Sequence, residues 1–219
     1  ITEAMDRVEM GIKHKVIFNE EERKKVAYHE AGHAVATYFL QPFHDVFKAT
    51  ITARGGALGM VVPHPREELH VHTKEELLGQ IKSCLGSYVA EKLKFGTTTT
   101  GVSDDFHQAM HYAHQMVWRY GMGGSGLVGD YTLLETSHSE YGIFRGEKVS
   151  FLSEKIKEQL NQETQEMLQG CLKEVESLLI KERPVLDRFA EELLKKEELD
   201  YDEIEAIFKE FGKSRPPLI

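Results

Sequence analysis

Hydrophobic positions recur at helical spacing over most of the chain, interrupted by one short stretch of strand-like composition. Asn19 followed by Glu22 has the form of an N-cap with its N3 acid, and predicts a helix from Glu20 to about Leu40 that Pro42 brings to an end. Ala49 to Thr52 and Leu58 to Val62 are rich in β-formers and are separated by the turn-forming Arg54-Gly55-Gly56. They predict a small sheet or hairpin, and Pro63 to His72 reads as loop. A capping box at Thr73 and Glu76 opens a second helix to about Lys94, with Leu77, Leu78, Ile81, Leu85, Val89 and Leu93 on one stripe and Gly96 closing it. The next helix is expected from near Ser103 to Tyr120, presenting Phe106, Met110, Ala113, Val117 and Tyr120 as its apolar face.

Gly121 to about Val149 is rich in Gly, Ser and Tyr, and the Gly123-Gly124-Ser125-Gly126 tract predicts a mobile loop. Periodicity returns at Ser153 and runs to about Lys181, breaks at Arg183-Pro184, continues to about Lys196, and ends in a helix capped by Asp200 with Glu203 at N3. The expected architecture is mainly α with a small β element and a C-terminal helical bundle. It divides into a linker (1–15), a core (16–150) containing the loop 121–149, and a C-terminal helical region (151–219).

The chain has 219 residues, 41% of them hydrophobic, which suffices for a buried core. A net charge of -9 argues against nucleic acid or an anionic membrane surface as the main partner. The two cysteines, Cys84 and Cys171, lie far apart in helical patterns and indicate no disulfide framework. No apolar run reaches the ~18–20 residues of a membrane span. The chain opens on Ile1 and reads as a piece of something longer.

The first long helix carries Tyr28-His29-Glu30-Ala31-Gly32-His33, an H-E-x-x-H pattern. Positions i and i+4 of a helix stand one above the other, so two imidazoles at that spacing can hold one Zn²⁺. Glu30, beside the first of them, can take a proton from a water activated by the metal. Gly32 sits in mid-helix, where Gly costs ~1 kcal/mol relative to Ala, and a neighbour packing close to the backbone would explain it. A catalytic zinc usually takes a third protein ligand. His44, His64, His70 and His72 lie in loops or near strands. His107, His111 and His114 form a row opposite the Phe106 stripe, better suited to solvent or a subunit contact. Asp104 and Asp105 open the same helix. Spacing leaves these candidates open.

Several segments together resemble the peptidase region of the FtsH-type membrane-anchored AAA+ zinc proteases, an M41-like family. Val26 to Val35 is similar to that family's zinc motif. Met5-Asp6-Arg7-Val8 resembles its junction between ATPase and protease. Ala53 to Gly59 resembles P-R-G-x-x-L-G, Tyr88 to Gly96 resembles G-R-x-A-E-E-L-x-F-G, Thr99 to Phe106 resembles T-T-G-A-x-x-D, and Arg119 to Met122 matches F/Y-G-M. The resemblance implies Asp105, not Asp104, as third ligand beside His29 and His33, with one Zn²⁺ per chain. It implies Glu30 as general base, a supporting place for Glu91 behind the ligands, and Gly56, Ala57, Leu58, Gly59 and Met60 as a strand to which substrate adds. It further implies hydrolysis of unfolded or membrane polypeptides by a hexamer fed by an ATP-driven module absent from this chain. The longer protein would be membrane-anchored, with its protease domain on the cytoplasmic side or inside an organelle. The chain departs from the pattern at Ala53 for Pro, at Gly86-Ser87-Tyr88 for Gly-Gly-Arg, and in a longer loop after Met122. The rival readings are a free-standing soluble metallopeptidase and a catalytically silent scaffold homologue.

Overall fold

Helix α1 (Glu20–Leu40) starts at Asn19, whose side chain accepts the Glu22 N–H at 2.8 Å while the Glu22 carboxylate accepts the Asn19 N–H at 3.2 Å. That reciprocal cap satisfies donors that every helix start leaves bare. In this computed structural model, residues 11–13, 16, 18–67, 70–135 and 151–215 are described. The expected junction segment at Met5 to Val8, most of the linker, and loop residues 136–149 lie outside them.

After α1 come β1 (His44–Thr50), β2 (Met60–Pro65), α2 (Lys74–Phe95), α3 (Val102–His114) and a wider π-turn at Gln115–Arg119 that continues α3. Then follow α4 (Thr132–Glu135), α5 (Glu154–Lys181), α6 (Arg183–Lys196), β3 (Glu198–Leu199) and α7 (Tyr201–Glu210). The strands form one antiparallel sheet in the order β2-β1-β3, with a bulge in β1 between Val46 and Lys48. The expected mainly helical fold with a small β element is observed.

The strand boundaries differ from expectation. β1 begins at His44, five residues ahead of Ala49, and β2 runs through Pro63 and Pro65, which had read as loop. Proline is tolerated there because β2 is an edge strand, where a missing N–H leaves no partner wanting. The third strand, from the C-terminal region, is two residues long and carries no periodic signal.

Helices α1 and α2 lie against each other through two glycines. A Cβ at Gly32 would run into the Gly86 carbonyl and come within 2.7 Å of Ala90 Cβ. One at Gly86 would strike the Gly32 carbonyl and lie 2.8 Å from Ala36 Cβ. The close neighbour that Gly32 called for is therefore Gly86. On the outer side of this pair, α5, α6 and α7 complete one continuous core, with Tyr28, Ile81, Val175, Leu186, Phe189 and Phe208 buried together.

The inward face of α3 is the expected one only at Ala113 and Val117. Phe106 and Met110 are each 41% exposed and Tyr120 is 49% exposed, whereas Val102, Ala109, Ala113, Met116, Val117 and Trp118 are buried. The small alanines let α3 approach its neighbours closely, and the larger side chains fall to the flanks. Phe106 instead packs its ring against Tyr88, 5.1 Å between centroids.

Candidate metal centre and active site

His29 and His33 project from one face of α1, one turn apart, toward the first turn of α3, where Asp105 points back at them. Asp105 Oδ2 lies 3.3 Å from His29 Nε2, Asp105 Oδ1 lies 3.2 Å from His33 Nε2, and the two Nε2 atoms are 3.3 Å apart. The three donor groups fall within 4.8 Å of one another, the only such set of three His, Cys, Asp or Glu among the described residues. Each side chain keeps 15% of its surface exposed, so the cluster is reachable from the cleft above it.

Helix α2 orients both rings from behind. His29 Nδ1 meets Glu91 Oε1 at 2.8 Å, and His33 Nδ1 lies 2.9 Å from the Ser83 carbonyl. A carbonyl can only accept, so Nδ1 of His33 carries a proton, and in the neutral ring Nε2 offers its lone pair to the cluster. Glu91 is itself buried and accepts the Thr99 backbone N–H at 2.5 Å and the Thr99 hydroxyl at 3.0 Å. Ser83 Oγ also pairs with Thr37 Oγ1 at 2.6 Å, tying the same two helices one turn further along. Asp105 is held by Ser87, whose hydroxyl donates to Oδ2 at 2.6 Å.

Charge in the cluster is strongly coupled. Burial disfavours an ionised His29 ring, but the Asp105 and Glu91 carboxylates outweigh it and carry its pKa up to about 10 in the metal-free protein. Burial likewise opposes the charge on Asp105, yet the two imidazoles and Ser87 hold its carboxyl well below the usual carboxylate range. Burial works against a charged His33 as well, and Asp105 raises it. A cation entering the site therefore competes with protons.

Glu30 is 4% exposed, and burial pushes its carboxyl up. Gly59 lies directly against it: a Cβ there would come within 2.5 Å of Glu30 Oε1 and 2.8 Å of its Cγ. Any side chain at 59 would displace the acid. The surrounding cleft has a volume of about 760 Å³ and is walled by Gly56 to Val61 on one side, Lys25 and Val26 of α1, Ser83 and Cys84 of α2, and Thr100 to Asp105 on the other.

The structure thus brings together His29, Glu30, His33, Glu91 and Asp105. Gly56, Ala57, Leu58 and Gly59 line the cleft as a turn ahead of β2, and Met60 opens the strand itself. Asp104 is exposed at the cleft rim and stands outside the ligand cluster. His107 and His111 face outward on α3, and His114 stacks on Trp118 at 4.7 Å. Sequence reasoning passed over Ser83, Ser87 and Thr99. Ser83, Ser87 and Glu91 stand at i, i+4 and i+8 on α2, a polar row along a buried helix face, and that row was the available signal.

The family model described as peptidase family M41 matches residues 16–207. Relatives named "ATP-dependent zinc metalloprotease FtsH" are similar over nearly the whole chain. That of Thermobaculum terrenum is 36% identical over 214 residues, covering 98% of this chain and 33% of the relative. That of Bacillus subtilis is 37% identical over 209 residues (93% and 32%), and that of Borreliella burgdorferi 35% over 203 residues (92% and 32%). The chain belongs to peptidase family M41. It spans about a third of the length of the curated relatives it matches.

Proposed function

We propose that this chain is the peptidase module of a longer ATP-dependent protease, in which His29, His33 and Asp105 hold one Zn²⁺ and Glu30 moves the proton during peptide-bond hydrolysis. The observation that carries the reading is the convergence of two Nε2 atoms and one carboxylate on a common point. The donor set fits zinc: two imidazoles and a carboxylate are the kind of three-ligand set that would hold a catalytic zinc. The hydrogen bonds that the far ring nitrogens donate to Glu91 and to the Ser83 carbonyl are the support such ligands need.

Zinc held there supplies Lewis acidity, which makes a water acidic near neutral pH and polarises a carbonyl. The protein's own part falls to Glu30. Its burial raises the carboxyl's affinity for a proton, so it takes one from the attacking water and returns it to the leaving amine nitrogen. Gly59 leaves the acid room to face the cleft. The free edge of β2, entered through Gly56 to Met60, suits an extended substrate that adds as a further strand through backbone hydrogen bonds. Such binding reads backbone more than side chain and favours unfolded polypeptides, including segments drawn from membranes.

The relatives' printed names support zinc and ATP dependence, and the FtsH-type resemblance supports a membrane-anchored hexamer. Among the described residues no helix is long and apolar enough to cross a membrane. The chain spans about a third of its relatives, and we assign anchoring and unfolding to the rest of the longer protein. Residues 1–15 then serve as the connection to the ATPase, 16–150 as the catalytic core and 151–219 as its helical support.

Metal analysis of Asp105→Ala and Asp104→Ala, with casein cleavage by Glu30→Gln, tests the assignment. Asp105→Ala loses zinc and Asp104→Ala keeps it. Glu30→Gln keeps zinc and loses about 10²–10⁴-fold or more in turnover. Equal zinc in both Asp variants, or near-normal turnover by Glu30→Gln, removes the corresponding role.

A further inference from the structure

Ser87 is fully buried between α2 and α3, and its hydroxyl has two acceptors within reach. Asp105 Oδ2 lies at 2.6 Å and the Cys84 carbonyl at 3.3 Å. A hydroxyl has a single proton to donate, and the short contact to an ionised carboxylate is much the stronger of the two. The same segment, Gly86-Ser87-Tyr88, is where the chain departs from the Gly-Gly-Arg of the pattern it resembles. Glycine offers no hydroxyl there.

The two oxygens of Asp105 are therefore unequal. Oδ2 receives the Ser87 proton and also faces His29 Nε2 at 3.3 Å, whereas Oδ1 faces His33 Nε2 at 3.2 Å with no hydroxyl on it. When the imidazoles turn their Nε2 lone pairs to a cation, their contacts with Asp105 are lost. The Ser87 bond does not depend on those contacts, because its donor is a hydroxyl of α2 that is not itself in the ligand cluster. We infer that Ser87 is a positioning residue for the metal centre: it fixes the rotation of the Asp105 carboxylate and weakens Oδ2 as a donor, so that Asp105 would bind a cation through Oδ1. This rests on the zinc reading above and adds which residue decides how the third ligand binds.

A carboxylate bound through one oxygen keeps the site at low coordination and leaves a position for water or substrate. Released from Ser87, the Asp105 carboxylate would be free to rotate and to offer both oxygens to a cation. Partners placed behind metal ligands are typically worth 10–100-fold in affinity.

The experiment compares the whole chain with Ser87→Ala and Ser87→Thr. Zinc affinity is measured by chelator competition, coordination by the visible absorption of the Co²⁺-loaded proteins, and fold integrity by thermal melting of the metal-free proteins. Ser87→Ala is expected to bind zinc about 10–100-fold more weakly. Its Co²⁺ bands should be weaker than those of the parent, as coordination number rises. Ser87→Thr, which retains the hydroxyl, should keep the parental spectrum. Unchanged affinity and spectrum in Ser87→Ala overturn the inference while leaving the zinc site standing. So does an affinity loss matched by metal-free destabilisation with the parental spectrum intact, since a purely structural role gives that result. If Ser87→Thr does not fold, the Ser87→Ala spectrum decides alone. A parent chain that takes up neither Zn²⁺ nor Co²⁺ removes the metal centre and this inference with it.

Discussion

Gly32→Ala probes the seam on which the whole centre is built. The added methyl meets the backbone carbonyl of Gly86 and sits 2.7 Å from Ala90 Cβ, where ordinary carbon contacts lie near 3.5–4.0 Å. Backbone cannot swing aside as a long side chain can, so α1 and α2 must part by about 1 Å. Overpacking of this kind costs ~1–3 kcal/mol, and the obstructing backbone puts this case at the upper end. The better helix propensity of Ala returns ~1 kcal/mol, leaving a net loss of about 2 kcal/mol. For a chain of this size that lowers the melting temperature by roughly 4–8 °C. The same 1 Å shift stretches the bonds that cross the seam, His29 to Glu91 at 2.8 Å and His33 to the Ser83 carbonyl at 2.9 Å, beyond hydrogen-bonding range. Zinc affinity should then fall by about 10–100-fold. Urea unfolding of the metal-free proteins measures the first effect and chelator competition the second. Because one separation relieves both clashes, the Gly32→Ala, Gly86→Ala double variant should lose less stability than the sum of the singles. A Gly32→Ala protein that is more stable than its parent by ~1 kcal/mol, as propensity alone would make it, refutes the close approach.

Three further outcomes are expected. Glu91→Ala leaves His29 Nδ1 and the Thr99 N–H without their acceptor, so zinc should bind about 10–100-fold more weakly by competition titration; parental affinity would contradict a supporting role for Glu91. Glu163 of α5 accepts the Gly124 and Ser125 N–H groups at 2.9 and 3.2 Å; burial opposes its ionisation, but these bonds and the Ser125 and Gln159 side chains hold its carboxyl below the usual range. A depressed folded-state pKa stabilises above the ordinary Glu value of about 4.3 and is lost as pH falls below it. The Gly124 and Ser125 amide resonances should therefore titrate with a midpoint under that value, and a midpoint at or above it would show that Glu163 does not tether the glycine tract. Lastly, the isolated chain should cleave unfolded casein slowly and spare a stable folded substrate with or without ATP, and efficient degradation of the folded protein would place unfolding within this domain.

Much of this protein was readable in one dimension because its signals are local. The caps at Asn19, Thr73 and Asp200 engage groups three residues away, and all three form as full capping boxes. The i, i+4 pair His29 and His33 shares a face as soon as the helix forms, whatever surrounds it. Gly32 announced a close neighbour without naming it. What sequence spacing left open depends on how helices pack. Asp104 and Asp105 are adjacent, and only the approach of α3 to α1 turns one toward the imidazoles and the other to the rim. Phe106 and Met110 satisfy helical periodicity as well as Val102 and Ala109 do, yet the short contact that α3 makes favours the smaller side chains inside. Ser83 and Ser87 looked like ordinary polar positions on α2, Glu91 stood out only through the resemblance, and all three reach the cluster because two glycines let α2 close on α1. A hydrogen bond across such a seam is set by distances of tenths of an ångström between residues distant in sequence, and packing, not pattern, determines those distances.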